Sequence, residues 1–458
     1  MKILLISPSR NPETKTPKGI RIPEIALLIV AGLTPEKHEV TILEEEVDDI
    51  SCDIECDLVG ISCMTSNAPR AYYFAREFRK RGKTVVLGGV HPSILPEEAG
   101  RFADSVVIGE AEGVWRELLK DQERGNLQPF YQKREPSLDT YVNVRQRETV
   151  NRSLFNVKPI VTTRGCPYNC DFCCVHDIYG KKIRHIPVEN VVQDIADSGT
   201  KNFIFLDDNI IGDVSYAQEL FAAIKPLKIR WAGQASISFA KNEALMDAAA
   251  KSGCKALFIG LETVSASHLK TLRKSPKKIE DVEEAIKKIN GKGIHFHPSL
   301  IFGFDDDTRD IFKETLDFLE RNAVSSASIN VLTPYPGTKV YSDFSKNGRL
   351  LTEDWKHYDH CTTVFHPKNM SARELQEGTI WTKREFTKLP SVLRRLPSHL
   401  TKLPYHLAFN LGSSKGVKNE IRHLPELIST LYKGQPAGSL LSGSSGHLPP
   451  SPAPHVQK

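Results

Sequence analysis

Short apolar runs alternating with segments of helical period constrain this chain more than any other feature of its sequence. Lys2–Ser7, Glu39–Leu43, Leu58–Cys63, Thr84–Leu87 and Ser105–Ile108 read as buried parallel strands. Between them, Ala68–Arg81 sets Ala71, Phe74, Ala75 and Phe78 at helical spacing and predicts a crossover helix. Strand and helix in alternation predict a Rossmann-like, doubly wound α/β domain over residues 1–125. Ligands of such sheets sit beyond the carboxyl ends of the strands. Here those ends carry Ser7-Pro8-Ser9, Met64-Thr65-Ser66, Gly88-Gly89-Val90-His91 and Gly109-Glu110.

Residues 126–155 are polar without a clear period and read as a linker. A second series then runs over residues 156–345. Its expected strands are Ile160–Thr163, Asn202–Leu206, Arg230–Gln234, Ala256–Gly260, His295–Phe302 and Ser326–Leu332, with helical patterns between them. Such a series predicts a partial (β/α)6 barrel of the TIM type rather than a closed eight-stranded one. Over residues 346–433 the strand signal fades into a helical region. There Ala372–Phe386 is an expected amphipathic helix, followed by short helices broken at Pro390, Pro397, Pro404 and Pro425. Residues 434–458 are rich in Gly, Ser and Pro and are expected to be disordered.

Composition narrows the class. With 40% hydrophobic residues among 458, a collagenous or wholly disordered chain is excluded. The longest apolar candidate, Ile25 to Leu33, falls far short of the ~20 residues a membrane span needs. The apolar core at Met1–Ile6 is too short for a signal peptide, so a cytoplasmic location is expected. The formal charge of +5 is uneven: Trp381 to Lys433 carries ten Lys and Arg against three Asp and Glu. The rest of the body is slightly acidic. A basic segment of this kind favours an anionic partner or a peripheral membrane contact, against the plain reading of a solvated helical face. No nucleic-acid partner is expected.

Four of the nine cysteines fall within nine residues, and three of them, Cys166, Cys170 and Cys173, have the spacing C-x3-C-x2-C directly after Thr163-Arg164-Gly165. Three thiolates on one tight loop can hold three corners of a 4Fe–4S cubane and leave the fourth iron open. Zinc is the alternative, although its structural sites usually pair two C-x2-C knuckles and no second pair follows here. Core or redox cysteines are the remaining reading. Cys174 adjoins Cys173 and is expected to point elsewhere.

At these residues the chain resembles the radical S-adenosylmethionine superfamily, through most of residues 156–345. Phe172 matches the family's aromatic before the third cysteine. Leu206-Asp207-Asp208-Asn209 matches the strand end that meets the methionine amino group, in a variant associated with the cobalamin-type branch. Gly260-Leu261-Glu262-Thr263 falls where members place a ribose-binding acid. Ile301-Phe302-Gly303-Phe304 and the segment Leu332–Thr338 match the adenine-side strand ends. The resemblance therefore implies a 4Fe–4S cluster on Cys166, Cys170 and Cys173. It implies S-adenosylmethionine held by Phe172, Asp207, Asp208, Asn209, Gln234, Ser236, Glu262, Ile301, Gly303 and Leu332. Asp207 and Asp208 would accept from the ammonium and Glu262 from ribose hydroxyls. An Asp pair after a strand is also a common helix N-cap, and Glu262 alone could be a surface acid.

The first domain resembles the cobalamin-binding module that precedes the radical domain in one large branch. Asp57–Ser62, Gly88-Gly89-Val90-His91-Pro92 and Gly109-Glu110-Ala111-Glu112 carry that likeness. It points to Thr65, Gly88, Gly89, His91 and Glu110 as the cobalamin side. The Asp-x-His-x-x-Gly motif is absent, so a vestigial domain stays open, and His91 alone reads as readily as a structural histidine.

What the resemblance implies is a cobalamin-dependent radical enzyme, a methylase of an unactivated carbon in a small molecule, supplied with electrons by a flavodoxin- or ferredoxin-type reductant. Oxidative cyclisation or hydroxylation, as in the anaerobic tetrapyrrole cyclases, and aminocarboxypropyl transfer are alternatives within the class. A non-catalytic iron–sulfur and cobalamin sensor is the alternative outside it. Transfer RNA methylthiolation would need further domains that the sequence does not display. No acid or base of catalysis identifies itself.

Overall fold

A computed structural model describes residues 1–13, 22–138, 156–269, 278–397 and 403–436. The later part of the expected linker and all but the start of the expected tail lie outside the described residues. The chain divides into two compact units. The first comprises Met1–Ala235, Asp247–Lys255 and Tyr335–Tyr341, and the second the remainder.

The first unit opens with strands β1 (Lys2–Ser7), β2 (Glu39–Glu44), β3 (Leu58–Ser62), β4 (Thr84–Gly88), β5 (Ser105–Ile108) and β6 (Phe130–Gln132). They form one parallel sheet in the order β2-β1-β3-β4-β5-β6. The sequence shows why both faces are covered. Leu4, Ile6, Val59, Ile61, Val85 and Leu87 point to one side and pack with Phe74 and Phe78 of helix Ala68–Lys80. Their neighbours Ile3, Leu5, Leu58, Val86 and Val107 point to the other, against helices Ile25–Leu33 and Trp115–Glu123. Period-two alternation with apolar residues on both sides is the signature of a doubly wound sheet. The strand order reverses between β1 and β3, which makes their carboxyl ends the topological switch point. The short β6 lies in the stretch expected to be linker, because its three residues gain a ladder with β5.

The barrel-type series has its first strands in the same unit: β7 (Val157–Ile160), β10 (Asn202–Phe205) and β11 (Arg230–Ser236), in the order β7-β10-β11. The expected strand Ile160–Thr163 is divided. Thr163 and Arg164 leave the sheet as β8 and pair antiparallel with β9 (Arg184–His185). The backbone N–H groups of Thr162 and Thr163 donate to the Asp207 carboxylate, so they are lost to the ladder.

The second unit carries nearly all of β12 (Cys254–Glu262), with β13 (His295–Phe302) and β14 (Ser328–Val331), parallel and in that order. Helices Ile279–Gly291 and Asp310–Arg321 bury one stripe each. The helical region holds Ala372–Thr387, Leu389–Arg394 and Leu403–Thr430. The expectation of short proline-broken helices fails for the last, which runs 28 residues with Pro425 inside it. Among the described residues no helix is long and apolar enough to cross a membrane.

Candidate cofactor sites

The cysteine loop is held open by its neighbours on both sides. Gly165 has φ +94°, and a Cβ there would stand 2.7 Å from the Lys182 carbonyl oxygen, so only glycine lets the chain turn into Cys166. Within the loop the Cys173 N–H donates to the Cys170 carbonyl at 3.0 Å. Cys174 caps the short helix Val175–Tyr179, and the His176 ring meets the Cys166 carbonyl at 2.8 Å. Asp171 is fixed by Lys339 at 2.8 Å. Cys166, Cys170 and Cys173 are all half-buried and none is in a disulfide. Burial pushes the Cys173 thiol up to about 12; a Val175 backbone hydrogen bond opposes this, while Cys174, Cys170 and Asp208 reinforce it. Thiolates so placed need a strong local cation.

Asp207 and Asp208, expected to act together, have separate partners. Asp207 is fully buried, and its Oδ1 accepts from the Thr162 and Thr163 backbone and from both hydroxyls, at 2.8 and 2.7 Å for the latter. Through Oδ1 that carboxylate pins the entry to the cysteine loop, while its buried Oδ2 has no hydrogen-bond partner among the described residues. Asp208 accepts from the Gly165 N–H at 3.3 Å and stays half-buried beside the loop. Burial pushes its carboxyl up to about 6, against the pull of Arg164. Asn209 is buried, and the next residue, Ile210, donates its N–H to the Gln234 carbonyl at 2.9 Å. The Gln234 side chain is exposed.

Among the described residues, no three His, Cys, Asp or Glu side chains converge on one point as a single ion requires. Structural zinc takes four ligands at ~2.0–2.3 Å around one centre, whereas a cubane spreads its cysteines over separate irons. The donor set of this loop fits the cluster.

A cavity with about 1030 Å³ of empty space opens at the carboxyl edge of β1, β3, β4 and β5, at the switch point. Gly60, Gly88, Gly89 and Gly109 line it without side chains, with Leu5, Ile29, Val86, Val107 and Trp115 as apolar floor. Gly89 (φ +99°) could not be replaced, because a Cβ would meet the Cys63 backbone at 2.7 Å. Arg164, Ile178 and Tyr179, from the segment bearing the cysteines, line the same cavity. Bare glycine backbone on one side and an apolar floor on the other suit a broad, mainly apolar ligand with polar edges.

Its polar rim is an ion network. Glu110 is buried, pairs with Arg184 and lies 3.8 Å from Arg164 Nε; Arg164 Nη2 donates to Glu112 at 3.0 Å. The Arg164 guanidinium also lies 5.3 Å from the Tyr179 ring centre. Burial pushes the Glu110 carboxyl up while Arg184 and Arg164 oppose it. Arg164, Arg184, Glu112 and Tyr179 were absent from the sequence-derived set. Arg164 sits beside the cysteine motif, and only the folded sheet shows that it reaches the cavity. Two expected residues are not on it. His91 is fully buried with its Nε2 3.2 Å from Glu98, and Thr65 is buried in a turn. The His91 ring packs 6.0 Å from that of Tyr72, centre to centre.

In the second unit, Glu262, Ile301, Gly303 and Leu332 lie at or just past the carboxyl ends of three adjoining strands. Glu262 is buried at a register shift of β12 with φ +69°, a conformation that costs ~1–3 kcal/mol in a non-glycine residue and marks functional positions. Gly303 has φ +104°, and its N–H donates to Asp307 at 2.8 Å. The Leu332 N–H donates to the Phe302 carbonyl at 2.8 Å. Ser236 is buried with its hydroxyl 2.7 Å from that of Ser238.

Comparison with known proteins gives the following. A model of the radical SAM superfamily matches residues 160–319, and one of the B12 binding domain matches residues 19–119. Bacteriochlorophyllide d C-12(1)-methyltransferase of Chlorobaculum tepidum is 31% identical over 86% of this chain and 89% of its own. The C-8(2)-methyltransferase of the same organism is 31% identical over 73% of this chain and 79% of its own. Among solved structures, the radical S-adenosylmethionine methyltransferase TsrM of Kitasatospora setae, with cobalamin and a [4Fe-4S] cluster bound, superposes with a TM-score of 0.66. That match has 16% identity and covers 93% of this chain and 99% of that one. At that identity the likeness establishes the fold: a Rossmann-like domain, a partial barrel and helices.

Proposed function

The chain belongs to the cobalamin-dependent radical S-adenosylmethionine methyltransferases, and on that premise we propose that it carries a methyl group from S-adenosylmethionine to an unactivated carbon of a small molecule. One observation carries the reading: the glycine-lined cavity of the first sheet is completed by Arg164, Ile178 and Tyr179 of the cysteine-bearing segment. When bound, cobalamin supplies a methyl carrier, and the cluster supplies the electron that cleaves S-adenosylmethionine to a radical. The residues do the rest. Cys166, Cys170 and Cys173 hold three cluster corners, and Asp207 keeps their loop in register from below. Asp208 offers an acceptor to the ammonium of S-adenosylmethionine. The apolar floor of the cavity excludes water from a large flat ligand, while Glu110, Glu112 and Arg164 present charged hydrogen-bonding groups to its edge. A one-electron donor of flavodoxin or ferredoxin type would supply the electrons.

The test is anaerobic reconstitution with hydroxocobalamin followed by desalting. Stoichiometric retention of the corrin absorbance is expected, weakened about tenfold or more by Gly88→Leu, which fills the cavity edge. A protein that retains none would overturn the reading.

A further inference from the structure

The C-terminal helices expose what a core would bury. On helix Leu389–Arg394 the inner residues Ser391 and Val392, with Arg395 just beyond its end, are buried, while Leu389 is 69% and Leu393 54% exposed. On helix Leu403–Thr430 the buried seam is His406, Asn410, Val417 and Leu424, and Leu411 is 72% exposed. The two helices are neighbours: the His406 ring meets the Val392 carbonyl at 3.1 Å, and Arg395 donates to Asn410 Oδ1 at 3.0 Å. Their inner faces are satisfied, so the outer leucines have no packing role within the described residues.

The stripe that begins with Leu407 and Leu411 continues as Lys415, Lys418 and Arg422, at spacings of four, four, three and four residues. That is one face of a helix, rising ~22 Å from first to last. All three basic residues are exposed, and among the described residues no carboxylate pairs with them. The nearby Glu420 is turned to Lys383 at 2.9 Å. Leucines followed by cations on one exposed face are the pattern of a helix lying in a bilayer interface.

We propose that this face docks on an anionic lipid bilayer, with the leucines entering the headgroup boundary and Lys415, Lys418 and Arg422 meeting lipid phosphates. The helix does not span. The test is co-sedimentation of the full chain with phosphatidylcholine vesicles that contain or lack phosphatidylglycerol, at low and high salt. The expected result is binding that needs the anionic lipid and falls with salt. Lys415→Glu/Lys418→Glu should weaken it at least ~10-fold, and Leu407→Ser/Leu411→Ser should do likewise while S-adenosylmethionine cleavage in solution is unchanged. Absent binding, or equal binding to neutral vesicles, overturns the proposal. So does a dimer of the wild-type chain that the leucine variant converts to monomer while vesicle binding is unaltered.

Discussion

Asp207 and Asp208 share a strand end and divide its work, and the division is testable one side chain at a time. Four donors converge on Asp207 Oδ1 in a site with no solvent. Asp207→Ala strands two buried N–H groups, and charged-acceptor bonds are worth ~1.5–3 kcal/mol each when one partner is removed. We expect a loss of about 3–6 kcal/mol in urea unfolding together with poor iron retention. Asp208→Asn keeps its single 3.3 Å contact geometry, so unfolding should change by under ~0.5 kcal/mol, while binding of S-adenosylmethionine measured by calorimetry weakens. Equal destabilisation by both would contradict the division. His297 supplies a pH dependence. Its ring lies between the Ser326 and Ser328 hydroxyls at 2.7 and 2.9 Å, with His295 and the Phe258 and Phe409 rings around it. Burial, reinforced by His295, pushes its pKa down to about 3 from 6.5. The unfolded chain therefore takes up a proton here before the folded one does. Its contribution is complete above about pH 6.5 and is lost as the pH falls toward 3, at no more than ~1.4 kcal/mol per pH unit. His297→Gln should flatten that acid limb of the stability curve; an unchanged slope would refute the assignment.

At the scale of elements, strands were legible and their interruptions were not. Runs such as Lys2–Ser7 and Leu58–Ser62 are apolar on both faces, and a parallel sheet covered on both sides accepts only such runs. The break after Ile160 depends on a carboxylate more than forty residues away, which no local pattern carries. The C-terminal prolines misled for a related reason. A proline inside a helix costs about 3 kcal/mol, but packing of His406, Asn410, Val417 and Leu424 along one seam overrides it. Pro425 is exposed within the helix, so Pro425→Ala should raise stability, by up to ~3 kcal/mol. A destabilised variant would show that the ring itself packs. Gly303→Ala should act the other way, by about 1–3 kcal/mol, because φ is +104° and the new methyl would stand 2.8 Å from both Leu375 and Phe365. Thermal unfolding of the two variants separates these effects by sign.

For the whole molecule, the cysteine motif and the strand ends were readable because metal and cofactor sites reuse fixed spacings on fixed elements. The cavity's charged rim was not, since Arg164 and Glu110 are remote in sequence and meet only through the first unit's fold. Of nine cysteines, three form the half-buried C-x3-C-x2-C loop, whereas Cys56, Cys63 and Cys254 are buried. Of the ten basic residues between Trp381 and Lys433, Lys415, Lys418 and Arg422 share one exposed face of a long helix, whereas Arg395 is buried and Lys383 pairs with Glu420. Because Arg164, Ile178 and Tyr179 line the cavity and the three cysteines do not, the triple variant Cys166→Ala/Cys170→Ala/Cys173→Ala should lose all iron yet retain corrin. The most direct measurement of the central claim follows the two fates of S-adenosylmethionine in the reconstituted, dithionite-reduced chain under anaerobic conditions. The account predicts that 5′-deoxyadenosine and S-adenosylhomocysteine both form, the second only when cobalamin is bound. Absence of 5′-deoxyadenosine, or S-adenosylhomocysteine formed equally without cobalamin, would contradict it.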